Sequence, residues 1–302
     1  MHIPDGFLTT GVSVAACVAS GASVCLMARR AQGQTEESRA PLLGVMGAFV
    51  FAAQMINFPV GMGTTGHLVG AALLTITLGP SAAVVVMTAI VAIQALVFQD
   101  GGVLAMGANV FNMAVAGVAA AYLPYRLLGS GRTRSLGIFL AGVLSVMTGA
   151  LLALGELLLS GVAMPGPVVA LSIGLFGLNA AVEGALTLGV VQALERTNAG
   201  WVRGPERLRR PAMVAVSLAS VLLVSAGVLI ASSAPDGLMR LAQRLGIASR
   251  ATQVLGTPFA NYETAFLSNP WLSKVTAGML GLALVYGCVV AIGRFRAGKK
   301  SA

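Results

Sequence analysis

A chain of 302 residues with 57% apolar and only 10% charged side chains is too apolar for a soluble domain, which carries roughly a quarter charged residues. Its 19 Lys and Arg against 10 Asp and Glu leave a net charge of +9, but the cations lie between apolar runs, so they follow membrane topology and do not signal nucleic acid. Runs of about 20 apolar residues recur along the chain, which predicts an all-α integral membrane protein.

About nine membrane helices are predicted, at 9–28, 41–57, 66–79, 81–98, 103–125, 135–160, 166–194, 211–232 and 272–293. The third is short and is expected to sit kinked beside a loop at membrane depth. Cys17, Cys25 and Cys288 fall inside these spans without CxxC spacing and read as small core residues. Arg29, Arg30 and Arg39 follow the first span, and Arg126, Arg132 and Arg134 follow the fifth. Arg196, Arg203, Arg207, Arg209 and Arg210 follow the seventh; Arg294, Arg296, Lys299 and Lys300 follow the last. Nine spans put all of these on one side, which the positive-inside rule makes cytoplasmic. The chain is therefore expected to be a multi-pass protein of the cytoplasmic (inner) membrane, amino terminus outside and carboxyl terminus inside. The lack of a basic leader and of a small-residue cleavage site argues against a signal peptide.

The first seven spans form one block, 1–195. The basic, Gly- and Pro-broken stretch "ERTNAGWVRGPERLRRP" reads as a cytoplasmic linker, 196–210, before a two-span module at 211–302. That module carries an external segment, 233–271, beginning "APDGLMRLAQRLG". Asp236 is placed to cap a helix with Leu238, Leu241 and Leu245 on one side, which reads as an amphipathic helix on the membrane surface.

The polar residues inside the spans gather in the outer half. Gln54 and Asn57 are three apart, as are Asn109 and Asn112; Asn179 and Glu183 are four apart, so each pair shares a helix face. Gln94 and Glu156 stand near outer ends. Glue between helices is the plain account of any single amide. The same outer side holds "GMGTTGHLVG", with His67, and the opening "MHIPDG", with His2. A free α-amine, the amide nitrogen between Met1 and His2, and the His2 imidazole close two adjacent chelate rings nearly in one plane. His67 could complete a square of four nitrogens, a set that suits Ni(II) or Cu(II) over zinc. A disordered terminus and a hydrogen-bonded core histidine remain open alternatives at this point.

"MHIPDG", "FAAQMINFPVGMGTTGHLVGAAL", "LGPSAAVVVMTAIVAIQALVFQDGGVLAMGANVFNMAVAG" and "AAVEGALTLGVVQAL" resemble the CbiM/NikM family. These are the substrate-binding membrane (S) components of energy-coupling-factor nickel and cobalt importers. The likeness covers about 1–195, and the "PDGL" segment with its two spans resembles a fused NikN-like, PDGLE-type module, with Met239 where that motif carries glutamate. The resemblance implies metal ligands at Met1 (amine), His2 (backbone nitrogen and imidazole) and His67. It makes Asp5, Asn57, Thr64, Thr65, Gln94 and Asn109 candidates for supporting residues that hold the amino-terminal loop over the site. It implies a transporter component and no enzyme, with Ni2+, or else Co2+, as cargo and no other cofactor. Its partners would be a membrane coupling (T) protein and separate ATPase subunits, besides the lipid bilayer. The absence of a G-x-x-x-x-G-K-[ST] loop agrees with ATP hydrolysis elsewhere. Two other readings stay in play: a secondary metal carrier protonated at Glu156 or Glu183, and a metal sensor that transports nothing.

Overall fold

The computed structural model describes residues 2–34, 39–197, 210–232 and 234–297. Met1 and most of the 196–210 linker lie outside that set. The order is α1 (Thr10–Gln34), α2 (Ala40–Gln54), β1 (Phe58–Gly61), β2 (Thr64–Gly66), α3 (Ala71–Leu78), α4 (Pro80–Phe98), α5 (Met106–Leu128), α6 (Arg134–Leu159), α7 (Gly166–Thr197), α8 (Arg210–Ile230), α9 (Gly237–Arg244) and α10 (Pro270–Ala297).

Seven helices among the described residues are long and apolar enough to cross a bilayer, and α2 is a shorter apolar helix. The fold is all-α, as expected, apart from one two-stranded hairpin. The third predicted span is short, as anticipated: α3 has 8 residues, about 12 Å of rise, and cannot cross the hydrocarbon. It is nonetheless wholly within the protein, from Ala71 to Thr77. The hairpin ahead of it was not foreseen. Its turn holds Met62 and Gly63 at φ 50° and 70°, both left-handed, the geometry that suits the twist of a tight hairpin. α2 stops at Gln54, three residues short of the predicted end, and the hairpin takes Gly66 from the predicted start of the third span.

Burial ranks the helices. In α4, 67% of the most apolar stretch is covered by protein; in α1 only 11% is, so α1 flanks the bundle with most of its surface turned outward. The cysteines correct a reading of the sequence: Cys17, Cys25 and Cys288 are exposed on helix surfaces, not in the core. An apolar thiol facing lipid costs nothing to leave there.

The carboxy-terminal helices pack on α2 through small residues. The α10 chain passes so close at Gly281 that a Cβ there would sit 2.2 Å from the Phe51 ring, and one at Gly44 of α2 would sit 2.7 Å from Tyr286. Such approach is the usual way for membrane helices to gain dispersion contact without a hydrophobic driving force. Away from the hairpin, Arg134 and Glu195 form a two-pronged ion pair, 2.6 and 2.9 Å, between the start of α6 and the end of α7.

The predicted cap is present: Asp236 Oδ1 accepts the Met239 amide at 2.8 Å. The apolar face of the helix it starts is turned to protein, where a lipid-facing stripe was expected. Leu238, Leu241 and Ala242 of α9 are buried, and α9 packs on α7 and β2.

Candidate metal centre

Two loops meet at one end of the bundle. The first is the amino-terminal loop. Ile3 donates its amide to Asn109 Oδ1 at 2.7 Å, and Ile3 O accepts from Asn109 Nδ2 at 3.0 Å and from the Gly102 amide at 2.8 Å. Asp5 then collects three amides at the start of α5: Val103 at 3.0 Å, Leu104 at 2.8 Å and Ala105 at 3.1 Å. A single carboxylate thus satisfies the orphan donors of a helix start and ties the loop to it. Asn109 and Asp5 thus tie the amino-terminal loop to α5.

The second loop runs from β2 into α3 and carries His67. Glu183, fully inside the bundle, accepts the amides of Val69 at 2.7 Å and Gly70 at 2.8 Å. Gln54 donates to Val69 O at 2.6 Å, and Gln94 in turn donates to Gln54 at 2.7 Å. Buried polar groups from three helices, α2, α4 and α7, therefore fix the backbone at Val69 and Gly70. Gly66 is required by this packing, since a Cβ there would sit 1.9 Å from Asn179 Oδ1.

Between the loops the rings of His2 and His67 stack, with centroids 5.8 Å apart and planes inclined by 26°. Both are buried. His67 Nδ1 faces Leu68 O at 3.0 Å; a carbonyl only accepts, so Nδ1 carries the proton and the lone pair is on Nε2. Burial first, then the neighbouring His2, pushes the His67 pKa down to about 4, so the ring is neutral at pH 7. His2 Nδ1 lies 2.9 Å from Asp100 Oδ1, and the other Asp100 oxygen accepts from the Tyr262 hydroxyl at 2.6 Å. Burial works to raise the Asp100 carboxyl, but His2 and the Tyr262 hydroxyl outweigh it and hold it well below the usual range. Burial, with the Asp100 charge beside it, pushes the Tyr262 hydroxyl up.

The 234–269 segment covers these loops. Thr65 donates its amide to Pro235 O at 2.9 Å and its hydroxyl to Ala234 O at 3.0 Å; the Thr252 amide bonds Asp5 O at 3.0 Å. Beneath the segment lies a cavity of about 870 Å³ lined by His2, Asp5, Asn57, His67, Asp100, Asp236, Met239 and Tyr262. Among the described residues no three His, Cys, Asp or Glu side chains converge, so an ion held here must also take other donors.

The sequence-derived candidates thus divide. His2 and His67 come together, and Met1 lies outside the described residues. Asn109 and Asp5 hold the amino-terminal loop, Thr65 anchors the covering segment, and Asn57 lines the cavity. Gln94 acts at one remove, through Gln54. Thr64 sits behind the hairpin, in a small pocket shared with Asn179. Asp100, Tyr262 and the clamp made by Glu183 were missed. An acid directly after an apolar span, in "VFQDGG", was the available signal for Asp100.

Residues 2–201 match the family described as the cobalt uptake substrate-specific transmembrane region, CbiM. The chain belongs to the CbiM family. It is 29% identical over 330 aligned residues to the fused nickel transport protein NikMN of Rhodobacter capsulatus, covering 94% of this chain and 95% of that one. A chain of Archaeoglobus fulgidus, provisionally named a fused nickel transport protein NikMN, is 33% identical over 98% of this chain and 99% of its own. The cobalt transport protein CbiM of Thermosediminibacter oceani is 36% identical over 56% of this chain. Among solved structures, a truncated transition metal transporter superposes with a TM-score of 0.58 at 33% identity, covering 65% of this chain and 99% of that one. This member of the CbiM/NikM family is therefore a multi-pass membrane component of metal transport, fused along its length in the manner of NikMN.

Proposed function

We propose that the chain captures a divalent transition metal outside the cell and is the substrate-binding component of an ATP-driven energy-coupling-factor importer. Nickel is the proposed cargo, with cobalt carried by the same route as the second choice. The observation that supports this is the stacked, buried pair His2 and His67 under a doubly clamped amino-terminal loop. The proposed donors are the Met1 amine, the His2 amide nitrogen and imidazole, and His67. Three nitrogens from one dipeptide enforce a plane, which favours a square-planar ion. A neutral His67 is ready to bind without losing a proton.

In this reading residues 1–195 are the metal-binding domain, 196–210 a cytoplasmic linker and 211–302 the NikN-like module. The amino terminus is outside. A membrane coupling protein and ATPase subunits supply the energy, since the chain has no phosphate-binding loop of its own. Glu183 does not act as a coupling group in this scheme; its carboxylate is committed to two backbone amides that hold the His67 loop.

The test is metal content and absorption spectroscopy of the purified chain against one extended by a single alanine before His2. One nickel with a square-planar spectrum in the native chain, lost in the extended one, is the expected result. Equal binding by both refutes the amino-terminal chelate.

A further inference from the structure

Resting on that reading, we infer that Asp100, held by Tyr262, is a positioning residue that parks the His2 ring in an unloaded orientation which the arriving ion must break. The argument is one of ring closure. A chelate that includes the His2 amide nitrogen must close through Nδ1, because the amide nitrogen, Cα, Cβ, Cγ and Nδ1 make a six-membered ring with the ion. Nε2 points away from the backbone and cannot close it. Yet Nδ1 is the atom spent on Asp100, at 2.9 Å, while Nε2 is buried without a partner among the described residues. One nitrogen cannot serve both the carboxylate and the ion, so capture requires the Nδ1–Asp100 bond to break, by the ring turning or by Asp100 giving way.

The ring has open space on one side and backbone on the other. The cavity of about 870 Å³ lies beside the ring. Gly101, at φ 97°, packs its backbone against His2, where a Cβ would stand 3.0 Å from His2 Cβ and 3.5 Å from Cγ, beside the bond about which the ring would turn. Tyr262 also has a left-handed backbone, φ 59°, and follows Asn261 at φ 56°. The Tyr262 that bonds Asp100 is thus the second of two left-handed residues in succession on the covering segment. The ring of Tyr262 is set by stacking on Phe98, at 4.8 Å between centroids. The covering segment thereby reaches His2 through two hydrogen bonds in series, Tyr262 to Asp100 and Asp100 to His2, and the state of the first sets how readily His2 Nδ1 is freed.

The experiment uses the full chain in detergent, titrated with Ni(II) against a competing chelator, with the rise of the square-planar absorption band followed by rapid mixing. Tyr262→Phe removes the hydroxyl and keeps the ring; Asp100→Asn keeps the shape and removes the charge. Both are expected to load faster and bind roughly tenfold tighter, the worth of one hydrogen bond to a charged group, with the band position unchanged. Equal or weaker binding in either variant overturns the inference; weaker binding means that Asp100 supports His2 as an Nε2 ligand in the ordinary carboxylate–histidine–metal manner. The alanine-extended chain runs alongside. If it keeps the native band, the chelate reading itself has failed; if it loses the band while Tyr262→Phe gains nothing, only the parking role has.

Discussion

Replacing Asn109 with alanine tests the seat of the amino-terminal loop directly. The side chain makes two bonds to Ile3, at 2.7 and 3.0 Å, and Ile3 is fully buried. The Ile3 carbonyl keeps a partner after the change, the Gly102 amide at 2.8 Å. The Ile3 amide does not, and a buried donor left without an acceptor costs about 1–3 kcal/mol on top of roughly 1 kcal/mol for the lost bond. The docked loop should therefore lose about 2–4 kcal/mol. If only the docked loop binds the ion, nickel affinity falls by roughly 30-fold to several hundredfold. Competitive nickel titration at fixed pH measures this, with thermal unfolding in the same detergent as the check on the fold. Asn109→Asp retains the acceptor for the Ile3 amide but sets an oxygen against the Ile3 carbonyl, so it should fall between the two. An Asn109→Ala protein that binds within about threefold of the native chain would refute the claim that this residue holds the loop.

Three further outcomes are expected. Glu183→Gln can accept only one of the Val69 and Gly70 amides and points its own N–H at the other, so nickel affinity should drop about tenfold. Gly66→Ala should lower the melting temperature, because its Cβ would lie 1.9 Å from Asn179 Oδ1, and adding Asn179→Ala should restore part of the loss. Binding should weaken as pH falls, and the sign follows from the donors: the amine, ordinarily near 7.7–8.0, and the amide must each lose a proton, giving roughly two decades in dissociation constant per pH unit below about 7.7. With its pKa pushed down to about 4, His67 contributes no proton step between pH 5 and 8, so a nearly flat titration there would mean that the imidazoles bind alone. The same depression removes folding stability as pH drops from about 6.5 toward 4, since the unfolded ring takes up its proton first.

The membrane spans were readable because twenty apolar residues in a row leave few other fates, and the shortness of the third was readable from its length. The hairpin at 58–66 was not, because "NFPVGMGTTG" lacks the two-period alternation that marks a strand; the tight turn there is set by tertiary packing against Asn179 and the 234–236 backbone. The amides showed their faces but not their targets. Asn179 and Glu183 were seen to share a side of α7, yet the groups Glu183 serves lie 113 and 114 residues away in sequence. Asp100 escaped for the same reason, its histidine being 98 residues earlier. Spacing reports neighbours within a helix, and this site is assembled almost wholly between elements. The α9 stripe misled in a different way: leucines on one side say that something apolar covers them, without saying whether it is lipid or α7.

The separations between bonded partners also set an order of events during synthesis. Ile3 leaves the ribosome 106 positions before Asn109, and Thr252, which closes over Asp5, comes far later still. Until translation has passed the covering segment, the loop around Ile3 and Asp5 lacks part of its seat. A chain interrupted before residue 252 would lack the Thr252 amide over Asp5, so the seat of the loop is complete only once the covering segment has been made.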